Sequence, residues 1–117
     1  MSHGEYLAIP RHLVLPIPDP LPSREAAFIG IGAIAMHGFR KGKLSLGETC
    51  FVAGARIIGN LCAQLALVAG CRVVVSDYDA ERLDILRRCV GDAPDFVTVS
   101  PDDARAAVLE LSGGRGA

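Results

Sequence analysis

Residues Thr49–Asp77 read TCFVAGARIIGNLCAQLALVAGCRVVVSD. Cys50–Ala53 is a short apolar run of the kind that fills a buried parallel strand, with Thr49 leading into it. Gly54 breaks the run. From Ile57 to Val68 apolar residues recur at helical spacing, at Ile57, Ile58, Leu61, Leu65 and Val68. Gly70 stands where a helix ends on a left-handed residue. Arg72–Val75 is a second β-branched run, closed by Ser76 and Asp77. Strand, glycine turn, helix, strand and acid together make a βαβ unit, which commits the chain to a parallel sheet.

Working outward, Leu44–Glu48 is a turn into the first strand. Before it, a helix is expected from about Arg24 to Phe39, with Ser23 as its N-cap and Glu25 in its first turn. Arg40, Lys41 and Lys43 suit its C-terminal end. Gly30 and Gly32 weaken it by about 1 kcal/mol each and are read as places where another backbone packs closely. Pro16, Pro18, Pro20 and Pro22 alternate through an extended crossing. Tyr6–Ile9 and His12–Leu15 are strand candidates ahead of it. After Asp77 come a helix over about Ala80–Cys89 with Leu83, Leu86 and Val90 on one face, a stop at Gly91–Pro94, and a strand at Asp95–Val99. A last helix runs to about Leu111, with Ser100 and Pro101 as N-cap and first residue. The fold class is therefore α/β.

The chain has 117 residues, half of them apolar, and a net charge of −1. That balance gives no case for nucleic acid or an anionic membrane as partner. The longest apolar run, Ala26–Met36, is too short to span a bilayer. The N-terminus is polar and proline-rich, unlike a signal peptide. The cysteines Cys50, Cys62, Cys71 and Cys89 form no C-x-x-C pair, which argues against zinc-ribbon and thioredoxin spacing. The first three read as reduced core residues, as in a cytoplasmic protein. His37 reads as a packed histidine on an apolar helix, and His3 and His12 lack partners at metal-site spacing.

The chemistry concentrates in the central unit. A glycine turn running into a helix presents unbonded N–H groups to phosphate, and an acid at the end of the next strand suits ribose hydroxyls. The distance from Gly54 to Asp77 is 23 residues, close to the roughly 20 of a dinucleotide fingerprint. The same residues also fit a tight turn with no ligand, or the adenosine of S-adenosylmethionine. Asp77 itself fits an acid capping the helix at Ala80, and Arg82 an exposed helix residue.

With these residues placed, the chain resembles the zinc-type medium-chain dehydrogenase/reductase family, which includes alcohol, polyol and threonine dehydrogenases. The resemblance rests on GEYLAIP at Gly4–Pro10, REAAFIGIGAIAMHG at Arg24–Gly38, LGETCFVAGARIIGNLCAQLALVAGCRVVVSDYDAERL at Leu46–Leu83 and LSGGRGA at Leu111–Ala117. It implies the first half of a doubly wound Rossmann sheet in residues 23–117, after a linking helix. Residues 1–22 would be the tail of a GroES-like catalytic domain and a proline-rich crossing. The implied activity is oxidation of a small alcohol, or reduction of a carbonyl, by hydride transfer with NAD. Implied cofactor residues are Gly54, Arg56 and Gly59 in the turn, Ile57 and Ile58 opening the helix, Asp77 on the adenosine ribose and Arg82 near the adenosine. An acid at Asp77 favours NAD over NADP, whose 2′-phosphate it repels.

Two departures stand out. The family turn is G-x-G-x-x-G, and its middle glycine is Arg56 here. A glutamate that many polyol-type members use as a zinc ligand is Gly30. The resemblance therefore implies zinc in the parent family but no ligand and no catalytic residue in this chain. A non-catalytic or degenerate nucleotide-binding fragment is the competing reading, and a methyltransferase-like fold the third. A sheet cut after three strands is expected to self-associate.

Overall fold

The computed structural model describes residues 4–117. Three strands, β1 (Thr49–Ala53), β2 (Arg72–Ser76) and β3 (Phe96–Val99), form one parallel sheet in the order β1-β2-β3. Cys50 lies beside Val73 and Val52 beside Val75; across the next pair, Val73 lies beside Phe96. This is the first half of a doubly wound sheet. Helices α3 (Ile57–Val68) and α4 (Ala80–Val90) make the two crossovers that parallel neighbours require.

The core lies between the sheet and these helices. Val73 and Val75 from β2 meet Ala63 and Ala66 of α3, Cys71, and Leu83 and Leu86 of α4. Phe51 turns to the other face, where it shares a cavity with Ala104, Val108 and Leu109 of α5 (Ala104–Leu111). The apolar spacing of α3 picked out Ile57, Ile58, Leu61, Leu65 and Val68. Instead Ala63 and Ala66 are fully buried, while Ile57, Ile58 and Val68 are exposed. Small side chains let the helix approach the sheet closely, and the larger ones flank the contact.

The end of α3 follows its glycine. Gly70 has φ +79°, Gly70 N–H donates to Leu67 C=O, and Cys71 N–H donates to Ala66 C=O. This is the paired bonding of a Schellman stop, and it aims the chain into β2.

Several local expectations are corrected. Tyr6–Ile9 and His12–Leu15 form no strands. A 3-10 turn occupies Arg11–Leu13, and Tyr6 and Leu15 stand almost fully exposed. A strand needs a partner for its N–H and C=O groups, and none is offered among the described residues. The linking helix is split into α1 (Ser23–Ala26) and α2 (Ile29–Lys41). Its N-cap is Pro22 rather than Ser23, with no side-chain cap. The break lies at Phe28, whose N–H bonds back only three residues, to Glu25 C=O. Gly30 and Gly32 face open space; the glycine against a neighbour is Gly38, beside the Cys62 sulfur. His37 is exposed, not packed. Helix α5 begins at Ala104, because Asp103 and Ala104 donate to Ser100 and Pro101 C=O in a turn and the Ser100 hydroxyl is spent on Asp103. His3 lies outside the described residues.

Candidate functional site

At the C-terminal ends of the strands a cleft of about 850 Å³ is lined by Gly54, Arg56, Ile58, Gly59, Asp77 and Arg82, with Tyr78 at its mouth. Its floor is the turn from β1 into α3. Gly54 has φ +101°, a conformation that favours glycine, and its N–H donates to Ser76 C=O at 2.7 Å. Gly59 is fixed by space. A Cβ there would stand 1.9 Å from the Gly54 carbonyl oxygen, so only a glycine lets α3 start this close to the end of β1.

Arg56 is the N-cap of α3, in extended backbone (φ −68°, ψ 177°), with no side-chain cap. Asn60 N–H returns to Arg56 C=O at 2.8 Å, so the N–H groups of Arg56, Ile57, Ile58 and Gly59 are those left without intrahelical partners. Nothing in the backbone at Arg56 demands glycine. What the arginine adds is bulk and charge at the rim of the cleft.

Asp77 follows β2 directly, and its side chain is only 8 % exposed. One carboxylate oxygen accepts Ala55 N–H at 2.8 Å and the other accepts Asp79 N–H at 2.9 Å. Arg82 sits 3.5 Å from Asp77 and 3.1 Å from Asp79. These contacts hold the carboxyl below its ordinary 3.8; the Ala55 and Asp79 N–H groups lead, Arg82 and Arg56 add to them, and burial opposes. Asp77 is not the cap of α4. Asp79 is, accepting Glu81 N–H at 3.0 Å.

The sequence-selected residues thus converge: Gly54, Arg56, Ile58, Gly59, Asp77 and Arg82 line one cleft, and Ile57 faces the neighbouring groove beside Phe28. Ala55 was missed. Its contribution is a backbone N–H, which no residue-type signal marks. Tyr78, 91 % exposed, was missed for want of any spacing rule.

No zinc site fits here. Among the described residues no three His, Cys, Asp or Glu side chains come together. Burial pushes the Cys50 thiol up to about 11, the Cys62 and Cys71 thiols are raised for the same reason, and these two reach the Ala35 and Ser45 carbonyls. A dinucleotide fits better: unpartnered N–H groups at the head of α3 and an acid held in its ionised form both border the cleft.

No protein-family model matches the chain. It is 39 % identical over 111 residues to an L-threonine 3-dehydrogenase of Anaeromyxobacter sp. (strain K), covering 94 % of this chain and 31 % of that protein. It is 41 % identical over 88 residues to one of Mesorhizobium japonicum, covering 74 % and 25 %. The chain thus spans about a third or less of the curated relatives it matches. Among solved structures it is similar to 2R,3R-butanediol dehydrogenase from Bacillus subtilis, with TM-score 0.69 and 27 % identity over 83 % of this chain and 28 % of that one. A probable oxidoreductase from Mycobacterium abscessus gives TM-score 0.67 and 28 % identity over 87 % and 33 %. In sequence and in fold, this chain is alcohol- and polyol-dehydrogenase-like, over the segment that builds the first half of a Rossmann sheet.

Proposed function

We propose that the chain is the adenosine-binding half of an NAD-dependent dehydrogenase acting on a small alcohol or the matching carbonyl. The observation that carries this is the meeting of an ionised Asp77 with the glycine turn at the head of α3. In this reading residues 23–117 are the linking helix and half of the cofactor domain, and residues 1–22 lead in from a catalytic domain. The free thiols support a reducing, cytoplasmic setting.

When bound, the nicotinamide accepts or returns the hydride. This chain's residues bind and orient. The N–H groups of Ile57 and Ile58 face the pyrophosphate, aided by the helix dipole. Gly59 lets the head of α3 sit close against the end of β1, which sets the turn. Asp77 accepts the adenosine ribose hydroxyls with the lone pairs that Ala55 and Asp79 leave free, and Arg82 borders the adenosine. A second phosphate on that ribose would meet the Asp77 charge, so NAD is preferred to NADP.

Arg56 favours a second reading, a nucleotide-binding segment without turnover, since it fills space where the related turn has glycine. Calorimetric titration of the chain with NAD, NADP and S-adenosylmethionine tests the proposal. The expected order is NAD ahead of NADP, with no heat from S-adenosylmethionine. Equal affinity for NAD and NADP removes Asp77 from the ribose, and binding of S-adenosylmethionine alone replaces the dehydrogenase reading.

A further inference from the structure

Ala55 is 5 % exposed and contributes no side-chain chemistry, yet its N–H ends on the Asp77 carboxylate at 2.8 Å. It sits between Gly54, whose N–H is spent on Ser76, and Arg56, which caps α3. Two successive amides of the turn are therefore tied to the end of β2, one through the backbone and one through a side chain. Only the second tie can be altered by substitution, and it uses the residue read as the ribose acceptor.

We infer that Asp77 is a positioning residue for the phosphate-binding turn as well as a ribose acceptor, so that the ribose and pyrophosphate subsites are coupled through the Ala55 amide. This rests on the nucleotide reading of the cleft. The carboxylate is suited to the task because it offers two acceptor oxygens and both are used, one on Ala55 and one on Asp79. An asparagine offers one oxygen and one NH₂ group. In its place one of the two backbone donors would face another donor, and the turn would lose its hold on β2 or α4 would lose its lead-in.

Charge and position make opposite predictions for a phosphate ligand that has no ribose. Removing a negative charge beside the turn strengthens binding of an anion if charge alone matters. Loosening the turn disperses the α3 N–H groups and weakens it. The probe is inorganic pyrophosphate, titrated by NMR against the amides of Ile57, Ile58 and Gly59 in the full chain. The second measurement, made without any ligand, is hydrogen exchange at the Ala55 amide. Asp79→Asn is the charge control, since asparagine still caps a helix and Asp79 makes no bond to the turn.

Asp77→Asn should speed Ala55 exchange about tenfold, the scale of one charge-assisted hydrogen bond. It should weaken pyrophosphate binding by about threefold or more, a fraction of the same bond, while Asp79→Asn leaves binding unchanged or tighter. Unchanged exchange at Ala55 in Asp77→Asn, or pyrophosphate binding that tightens in it as in Asp79→Asn, overturns the inference. Should Asp77→Asn fail to fold, Asp77→Ala and Asp77→Ser carry the same pair of measurements. A wild-type chain with a protected Ala55 amide but no pyrophosphate shifts overturns the coupling by sinking the nucleotide reading itself. That result differs from a bound pyrophosphate that ignores Asp77.

Discussion

At the residue scale, Gly59 has the least freedom. A Cβ there would overlap the Gly54 carbonyl at 1.9 Å, and backbone on both sides cannot rotate away as a side chain would. Gly59→Ala should cost about 1–3 kcal/mol, the usual range for overpacking, read as a lower urea midpoint. Arg56 is the opposite case, since its backbone angles suit any residue and only its side chain matters. The steric view is that the arginine holds the pyrophosphate off the head of α3; the electrostatic view is that a guanidinium compensates as a phosphate partner. The steric view is favoured, so Arg56→Gly should tighten NAD binding by about 1 kcal/mol, one hydrogen bond recovered. Calorimetry showing weaker binding would make Arg56 a phosphate ligand. Asp77 sets a pH dependence. Its folded carboxyl lies below its unfolded value, so its stabilisation is complete above the unfolded value and is lost as pH falls through the folded one. Wild type should therefore lose more urea resistance than Asp77→Asn as pH drops from about 6 to about 3, on either side of a normal carboxylate. Parallel losses in the two proteins would show that other groups govern acid sensitivity.

At the element scale, α3 is specified at both ends by glycine and in the middle by alanine. Its Schellman stop places Gly70 at φ +79°, a region where an L-residue costs about 1–2 kcal/mol. Gly70→Ala should lower thermal stability by about that amount while leaving the cleft intact, because Gly70 lies at the other end of the helix. Loss of nucleotide binding in a folded Gly70→Ala chain would mean that the stop also sets the turn. Helix α4 shows how local chemistry settles an end: Asp79 caps it and Gly91, at φ +73°, closes it. Helix α2 shows the limit of such chemistry. Its glycines suggested a close backbone, but the contact with α3 is made through Gly38 and through the Cys62 thiol donating to Ala35 C=O.

At the scale of the whole molecule, the sheet has an unfinished side. Glu48 C=O accepts from Arg72 and Gly54 N–H donates to Ser76, so by alternation the N–H and C=O groups of Thr49, Phe51 and Ala53 point away from β2. Among the described residues no strand pairs with that edge. The strand carries no charge and no proline, the usual guards against edge pairing. Ile34 and Met36 of α2 and Phe28 before it are exposed apolar groups as well. The chain should therefore form dimers or larger species in light scattering, and Phe51→Lys should shift it toward monomer by placing a cation on the edge. A wild-type monomer at high concentration would count against an open edge.

The local part of this fold was written in the residues. β1, α3, β2, α4 and β3 lie within about one residue of their expected limits, inside the ordinary spread of such boundaries, because periodicity, glycine stops and caps act over a few residues. The spacing of Gly54, Gly59 and Asp77 also follows from sequence, since strand and helix lengths fix it. Tertiary structure alone decided the rest. Tyr6–Ile9 had strand composition but no partner, and unpaired backbone does not make a strand. The fully buried positions of α3 went to Ala63 and Ala66 rather than to the larger residues at helical spacing, because the approach to β2 is set by side-chain size. Asp77 could have capped α4 or faced solvent. It turned instead to the Ala55 amide, a choice that arises only when β1 and β2 lie side by side and bring two turns, far apart in the chain, within one hydrogen bond of each other.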